Sequence, residues 1–200
     1  MLEMKNLVLK TPPIVEPLTL SEAKGYLRLD EGLIEDDDYI SVLIKVAREY
    51  CEEFQNRAFI TQTWQMSFDY WPDLIIDIPK GTLQTINSIS YKNSVGEVTT
   101  IEENQHYVVS TRGVLGRISP PYAQPWPPFV PFPLDAVVIE FTCGYGDTAD
   151  KVPERVKQAM KLLISHWYEQ RTPLSETKQL PEEIAFTVSA LLWQDRLIPT

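Results

Sequence analysis

Apolar and polar residues change period twice along this chain, from helical spacing to alternation and back. In residues 18–29 (LTLSEAKGYLRL), Leu20, Ala23 and Leu27 fall on one helix face. Thr19 and Glu22 stand at capping-box spacing, where each side chain satisfies the other's free backbone N–H. Gly25 weakens this short helix by up to about 1 kcal/mol relative to alanine. A stronger helix is predicted over 37–56. Ile40, Leu43, Ile44, Ala47, Cys51 and Phe54 recur at helical spacing, with Lys45, Arg48, Glu49, Glu52 and Glu53 on the other side. Asp36, Asp37 and Asp38 supply the acceptor cap and negative charge that a helix N-terminus favours. Asn56 tolerates the left-handed geometry of a C-terminal cap.

From residue 61 the period falls to two. In TQTWQMSFDYW, Trp64, Met66, Phe68 and Tyr70 alternate with Gln65, Ser67 and Asp69, the mark of a half-buried strand. Further strands are predicted at 74–78, 83–91, 97–101, 106–110, 115–119 and 136–143. Pro79-Lys80-Gly81, Asn93 to Gly96 and Arg112-Gly113 punctuate them as turns. Strands so closely spaced predict antiparallel meanders rather than βαβ units. Residues 120–133 (PPYAQPWPPFVPFP) hold seven prolines. Proline fixes φ and lacks an N–H, so this stretch is predicted as an extended loop carrying Trp126, Phe129 and Phe132.

Helical spacing returns after Gly144 and Gly146. Pro153 suits a first turn, and Val156, Ala159, Met160, Leu163, Ile164 and Trp167 form a stripe to about residue 171. A last helix is predicted over 181–196, with Ile184, Val188, Leu191 and Leu192 apolar. Neither helical end is large enough to bury its own stripe, so the two are expected to pack together. The fold class is therefore α+β: a small antiparallel helical bundle made from both chain ends, with an antiparallel β-rich insertion in the middle. The expected organisation is a single domain, 1–200. Its helical part is 18–57 plus 152–196, and its β-rich insertion is 61–143.

Composition narrows the classes. The 200 residues are 44% hydrophobic, enough for one or two compact cores. Only Cys51 and Cys143 are present, which excludes disulfide scaffolds and zinc fingers and leaves two structural thiols in a reducing compartment. No run approaches the ~18 apolar residues of a membrane span, and the short apolar stretch near Leu7 to Leu9 is too brief for a signal-peptide core. The expectation is a protein kept in the cytoplasm after synthesis, with no membrane partner. The net charge is −10, with −11 in residues 1–150 and +1 in 151–200. Without a basic stripe, tight nucleic-acid binding is not expected.

Candidate chemistry is sparse. His106, on a predicted strand edge, and His166, in a helix beside Trp167, lie in no nucleophile or metal motif. The run Glu35 to Asp38 leads into a hydrophobic helix rather than a calcium loop. In Cys143-Gly144-Tyr145-Gly146 neither phosphate-loop spacing is met, and Asp147 and Asp150 would repel a phosphate, so a strand-to-helix turn needing positive φ is the better reading. No catalytic, cofactor or metal residues are assigned. The aromatic loop suits docking on another protein or folding back onto its own sheet, and its lack of Lys and Arg argues against base stacking.

Three stretches taken in order are distinctive: LTLSEAKGYLRLD, DDDYISVLIKVAREYCEEFQNRAFITQTW and FTCGYGDTADKVPERVKQAMKLLISHWYEQR, followed by PEEIAFTVSALLWQDR. Together they resemble the head–tail connector (adaptor) proteins of tailed bacteriophages, in the variant with a β-rich insertion. The resemblance implies a structural virion protein and no enzyme, assembled in the host cytoplasm. It implies a ring of about a dozen subunits below the portal, extending the DNA exit channel. The implied partners are copies of itself, the portal protein, a head-completion or tail protein, and DNA that passes without tight binding. Candidate contact residues are Trp126, Phe129 and Phe132 in the loop and Leu191, Leu192 and Trp193 in the C-terminal segment 191–200. Two other readings are a monomeric β-sheet module binding carbohydrate or peptide through the aromatic loop, and a hydrolase with dispersed carboxylates.

Overall fold

The computed structural model describes residues 6–170 and 181–198. It is an α+β protein with helices toward both ends and strands in the middle. Two compact units are formed: Met1–Pro13 with Thr61–Gly144, and Ile14–Ile60 with Tyr145–Thr200. Arg171, the last residue of the predicted third helix, and Pro199 and Thr200 of the C-terminal segment lie outside the described residues.

The helical unit contains α1 (Leu20–Leu27), α2 (Asp37–Gln55), α3 (Glu154–Glu169) and α4 (Glu182–Trp193). The capping box of α1 is complete: the Glu22 N–H donates to Thr19 Oγ1 at 3.2 Å and the Thr19 N–H to Glu22 Oε2 at 2.8 Å. That bond to the backbone holds the Glu22 carboxyl below its usual range. Asn56 ends α2 in the left-handed region at φ 53°. The start of α2 meets the end of α3, where the Tyr168 hydroxyl donates to Asp36 at 2.7 Å. The end of α2 leads to Phe59, stacked on Tyr145 ahead of α3, so the two helices run antiparallel. Their stripes interlock. Ile40, Leu43, Ile44, Ala47 and Cys51 of α2 share one core with Val156, Ala159, Met160, Leu163 and Ile164 of α3 and Val188 and Leu192 of α4. Each large aliphatic chain so buried contributes roughly 1.5–3 kcal/mol. Pro153 stands one position earlier than expected, as the residue preceding the first turn of α3.

The β unit holds two antiparallel sheets. The larger is ordered β1-β2-β8-β4-β5, from Asn6–Thr11, Gln62–Phe68, Val137–Cys143, Leu83–Lys92 and Val98–Ile101. The smaller is ordered β3-β7-β6, from Ile76–Ile78, Gly116–Ser119 and Val108–Ser110. This corrects the expected meander. The last strand, β8, inserts between β2 and β4, pairing Met66 with Ile139 on one side and Ile89 with Ile139 on the other. Its alternation explains the central position: Val137, Ile139, Phe141 and Cys143 are all buried. Strand β1 was absent from the expected set because, as an edge strand exposed along most of its length, it carries no period. The close approach of the second sheet depends on Gly116, where a Cβ would fall 2.3 Å from Leu83 Cδ2.

Candidate functional site

The proline-rich loop folds back onto its own unit. Trp126, expected as a contact residue, is only 7% exposed. Its indole stacks on Trp71 at 4.5 Å between centroids and donates to the Asp73 carbonyl at 2.8 Å. The Trp71 indole N–H reaches the Pro127 carbonyl at 3.0 Å. Phe129 packs on Tyr91 at 4.7 Å, and the Lys92 ammonium lies 3.7 Å from the Phe132 ring centroid. Backbone bonds from Ser94 to Val130 and from Phe132 to Lys92 fasten the returning strand of the loop. Of the three rings expected as contacts, Trp126 is buried, while Phe129 and Phe132 are half-buried. Two indoles that gain a stack and keep both N–H bonds are better buried than wet. The loop presents Tyr122 outward, at 99% exposure, with Val130, and Leu134 just after it is exposed as well.

The C-terminal residues divide by helical phase. Leu192 is fully buried in the helical core, and Leu191 packs partly buried against it. Trp193 is 61% exposed, and Phe186 and Ile198 also face outward. The segment after α4 is clasped onto the end of α2. Gln55 Nε2 donates to the Leu192 carbonyl at 2.6 Å, the Leu197 N–H to the Gln55 carbonyl at 2.9 Å, and Arg57 Nε to the Asp195 carbonyl at 2.6 Å. Arg155 forms an ion pair with Asp195. Arg196 lies over both the Phe54 and Trp193 rings. Of the predicted C-terminal contacts, Trp193 is exposed, Leu191 half-buried and Leu192 buried.

Buried cations were not foreseen, Lys24 and Arg48 among them. Lys24 lies on the apolar face of α1, at the i+4 position from Leu20, and that placement was the available signal. Its ammonium donates to the carbonyls of Glu31 and Leu33 and pairs with Asp37 at 2.8 Å. Thus Asp37 serves Lys24, and the side chain of Asp36 makes no capping bond. In α2, Arg48 pairs with Glu16 at 2.8 Å and Glu52 at 2.7 Å. Burial opposes its charge, but Glu52 and Glu16 outweigh that cost and hold the guanidinium above its ordinary value. Glu52 also accepts the Phe59 N–H at 2.8 Å, so the network ties Glu16 through Arg48 to the chain leaving α2.

Reactive side chains are placed structurally. Burial, with Glu52 nearby, pushes the Cys51 thiol up to about 12, and Cys143 is buried on β8. His106 is in a turn, not on a strand edge, where its Nδ1 accepts the Glu102 N–H. His166 is buried in α3. Gly144 and Gly146 have φ of 135° and 156°, as the strand-to-helix turn requires. Among the described residues, no three His, Cys, Asp or Glu side chains converge as a metal-binding group, and no helix is long and apolar enough to cross a membrane.

Helices toward both chain ends, two antiparallel sheets from the middle of the sequence and buried charges given to packing define the class as α+β. The profile of the head completion protein family matches residues 16–180, and the chain belongs to that family. Its fold is shared with solved particle structures. Against a chain in the virion of a native gene transfer agent, identity is 22% and the TM-score 0.77, with 98% of this chain and 97% of that one covered. A chain in the neck of an empty gene-transfer-agent particle, computed with C6 symmetry, gives 22% and 0.76 over the same shares. One in the neck of the native particle, computed with C12 symmetry, gives 21% and 0.74, again over 98% and 97%. No curated protein matches the chain.

Proposed function

We propose that this protein is a ring-forming subunit of the virion neck, seated below the portal, where it extends the DNA exit channel and offers a docking surface to a head-completion or tail protein. In this reading both units act together as one connector domain, and about a dozen copies close the ring. The observation that carries it is the fold shared over 98% of the chain with subunits of a neck computed with C12 symmetry. The net charge of −10 supports the channel role, because a wall without basic stripes lets DNA slide rather than grip it. Phe186 and Trp193, seven residues apart and so on one face of α4, are exposed apolar groups suited to a protein neighbour.

The test is electron microscopy of purified particles and of particles lacking this protein. The reading expects a symmetric ring at the neck that disappears with the protein, leaving filled heads that leak DNA or lack tails. Intact tailed particles formed without the protein, or its density found away from the neck, would overturn it.

A further inference from the structure

The five-stranded sheet has two open edges. Strand β1 is paired only with β2 and strand β5 only with β4, and no strand of the described residues covers the outer side of either. An uncovered edge presents a row of backbone N–H and C=O groups that templates another strand. Natural edges are commonly blunted by proline, lysine or a bulge. Strand β1 has these only toward its end, at Lys10, at the register shift between Leu9 and Thr11 and at Pro12-Pro13, and VTTI has none. Asn6 to Leu9 and Val98 to Ile101 therefore stay open to pairing. Both strands are mostly exposed.

We infer that the outer edge of β1 in one copy pairs with the outer edge of β5 in the next copy, as parallel strands, so that the sheet continues from subunit to subunit. The inference rests on the ring reading and names the surface that joins its members. Four features favour a second copy as the occupant. First, neighbours in a cyclic ring are related by one repeated rotation, so the contact joins two different surfaces. A β1–β1 pair would be self-complementary and stop at a dimer. Second, direction alternates through β1, β2, β8, β4 and β5, so β1 and β5 point the same way. Rotation by one subunit leaves them parallel.

Third, the faces agree. Leu7, Met66, Ile139, Ile89 and Ile101 form one row across the sheet, with Leu9 on the same face through its partner Trp64. Pairing β1 with a neighbour's β5 continues that row from Leu7 and Leu9 to Ile101. On the opposite face Val8 meets Val98 or Thr100. Fourth, the ends are complementary in charge. Lys10 is near the C-terminal end of β1, while Glu102 and Glu103 follow β5 directly, and all three are exposed. Parallel alignment brings these ends together. The dimensions also suit a ring. At ~4.8 Å per strand, five strands span ~24 Å, and a dozen such sheets close a belt ~90 Å across, wide enough to surround a DNA duplex.

The test is disulfide trapping in assembled particles. Neighbouring strands lie about 4.8 Å apart, within the Cα separation that a disulfide spans, and the native Cys51 and Cys143 are buried. Two double variants, Val8→Cys with Val98→Cys and Val8→Cys with Thr100→Cys, cover adjacent registers on one face. Necks carrying either pair are oxidised and resolved on a non-reducing gel. The expected result is a ladder of trimers and higher species for one of the two pairs, absent from each single variant. A dimer from Val8→Cys alone would overturn the inference in favour of β1–β1 pairing. Monomers only, from necks that show a ring by microscopy, would overturn it while the ring reading stands. Wild-type necks without a ring would overturn the ring reading itself.

Discussion

Replacing Lys24 by methionine isolates one buried ammonium, because methionine keeps most of the aliphatic stem that packs on α1. The wild-type group is 3% exposed and donates to the Glu31 carbonyl at 2.9 Å, the Leu33 carbonyl at 2.6 Å and Asp37 at 2.8 Å. Hydrogen bonds involving a charged group contribute about 1.5–3 kcal/mol each. Full loss of all three would be the upper bound, but residues 31 and 33 are exposed and Asp37 partly so, and water recovers much of it. A loss of about 2–4 kcal/mol follows. With a urea slope of about 2 kcal/mol/M, the midpoint of the helical transition moves down by about 1–2 M, read by circular dichroism at 222 nm. Amides of residues 29–37 should exchange faster, since this loop is organised around the ammonium. Asp37→Asn should cost less, about 1 kcal/mol, because both carbonyl bonds survive. A Lys24→Met midpoint within about 0.3 M of wild type, or an Asp37→Asn loss exceeding it, would refute the reasoning.

Trp126→Ala should destabilise the β unit by about 3–5 kcal/mol through the lost stack on Trp71 and the lost bond to Asp73, with a matching fall in near-ultraviolet dichroism. A wild-type unfolding curve would place the ring outside the core. Gly116→Ala should cost roughly 1–3 kcal/mol or more by overpacking against Leu83, and Leu83→Ala in the same chain should return part of that loss in urea titrations. Cys51, raised to about 12, should resist alkylation at pH 8 in the folded protein and react promptly in denaturant; mass spectrometry of the labelled peptide decides this. Stability should also fall with acid. The Asp135 carboxyl is held below its ordinary value by Ser67 and then Asn6, so its contribution is present above the unfolded carboxylate range and is lost as pH drops through the lower folded value. Asp135→Asn should flatten that part of the pH–stability curve.

The separate outcomes of the aromatic loop and the C-terminal helix show where local reading stops. The loop offered large apolar residues without a period, and the end of the last helix set Leu192 of its stripe beside an equally apolar Trp193. Trp126 is internal because Trp71 and Tyr91, distant in sequence, form the platform under it. Leu192 and Trp193 are adjacent, yet one is core and the other surface, since α4 turns about a hundred degrees per residue. A shift of one residue in helix phase would exchange them. Lys24 was overlooked because a charge on an apolar face is read as an interruption, whereas here two carbonyls of the following loop and the first side chain of α2 converge on it.

Among the described residues, what the amino-acid order determined by itself was local: four helices, the capping box of α1, seven of the eight strands, the left-handed Asn56 and the turn at Gly144 to Gly146. These depend on residues a few positions apart, so period and capping chemistry report them directly. Tertiary structure alone decided that β8 enters between β2 and β4, that β1 forms an edge, that the proline-rich loop turns its indole inward, and that Asp195 clasps Arg155 near the start of α3. Each of these is a pairing across dozens of residues. Its energy comes from desolvating surfaces that meet only when the chain is closed, and no window along the sequence contains both halves.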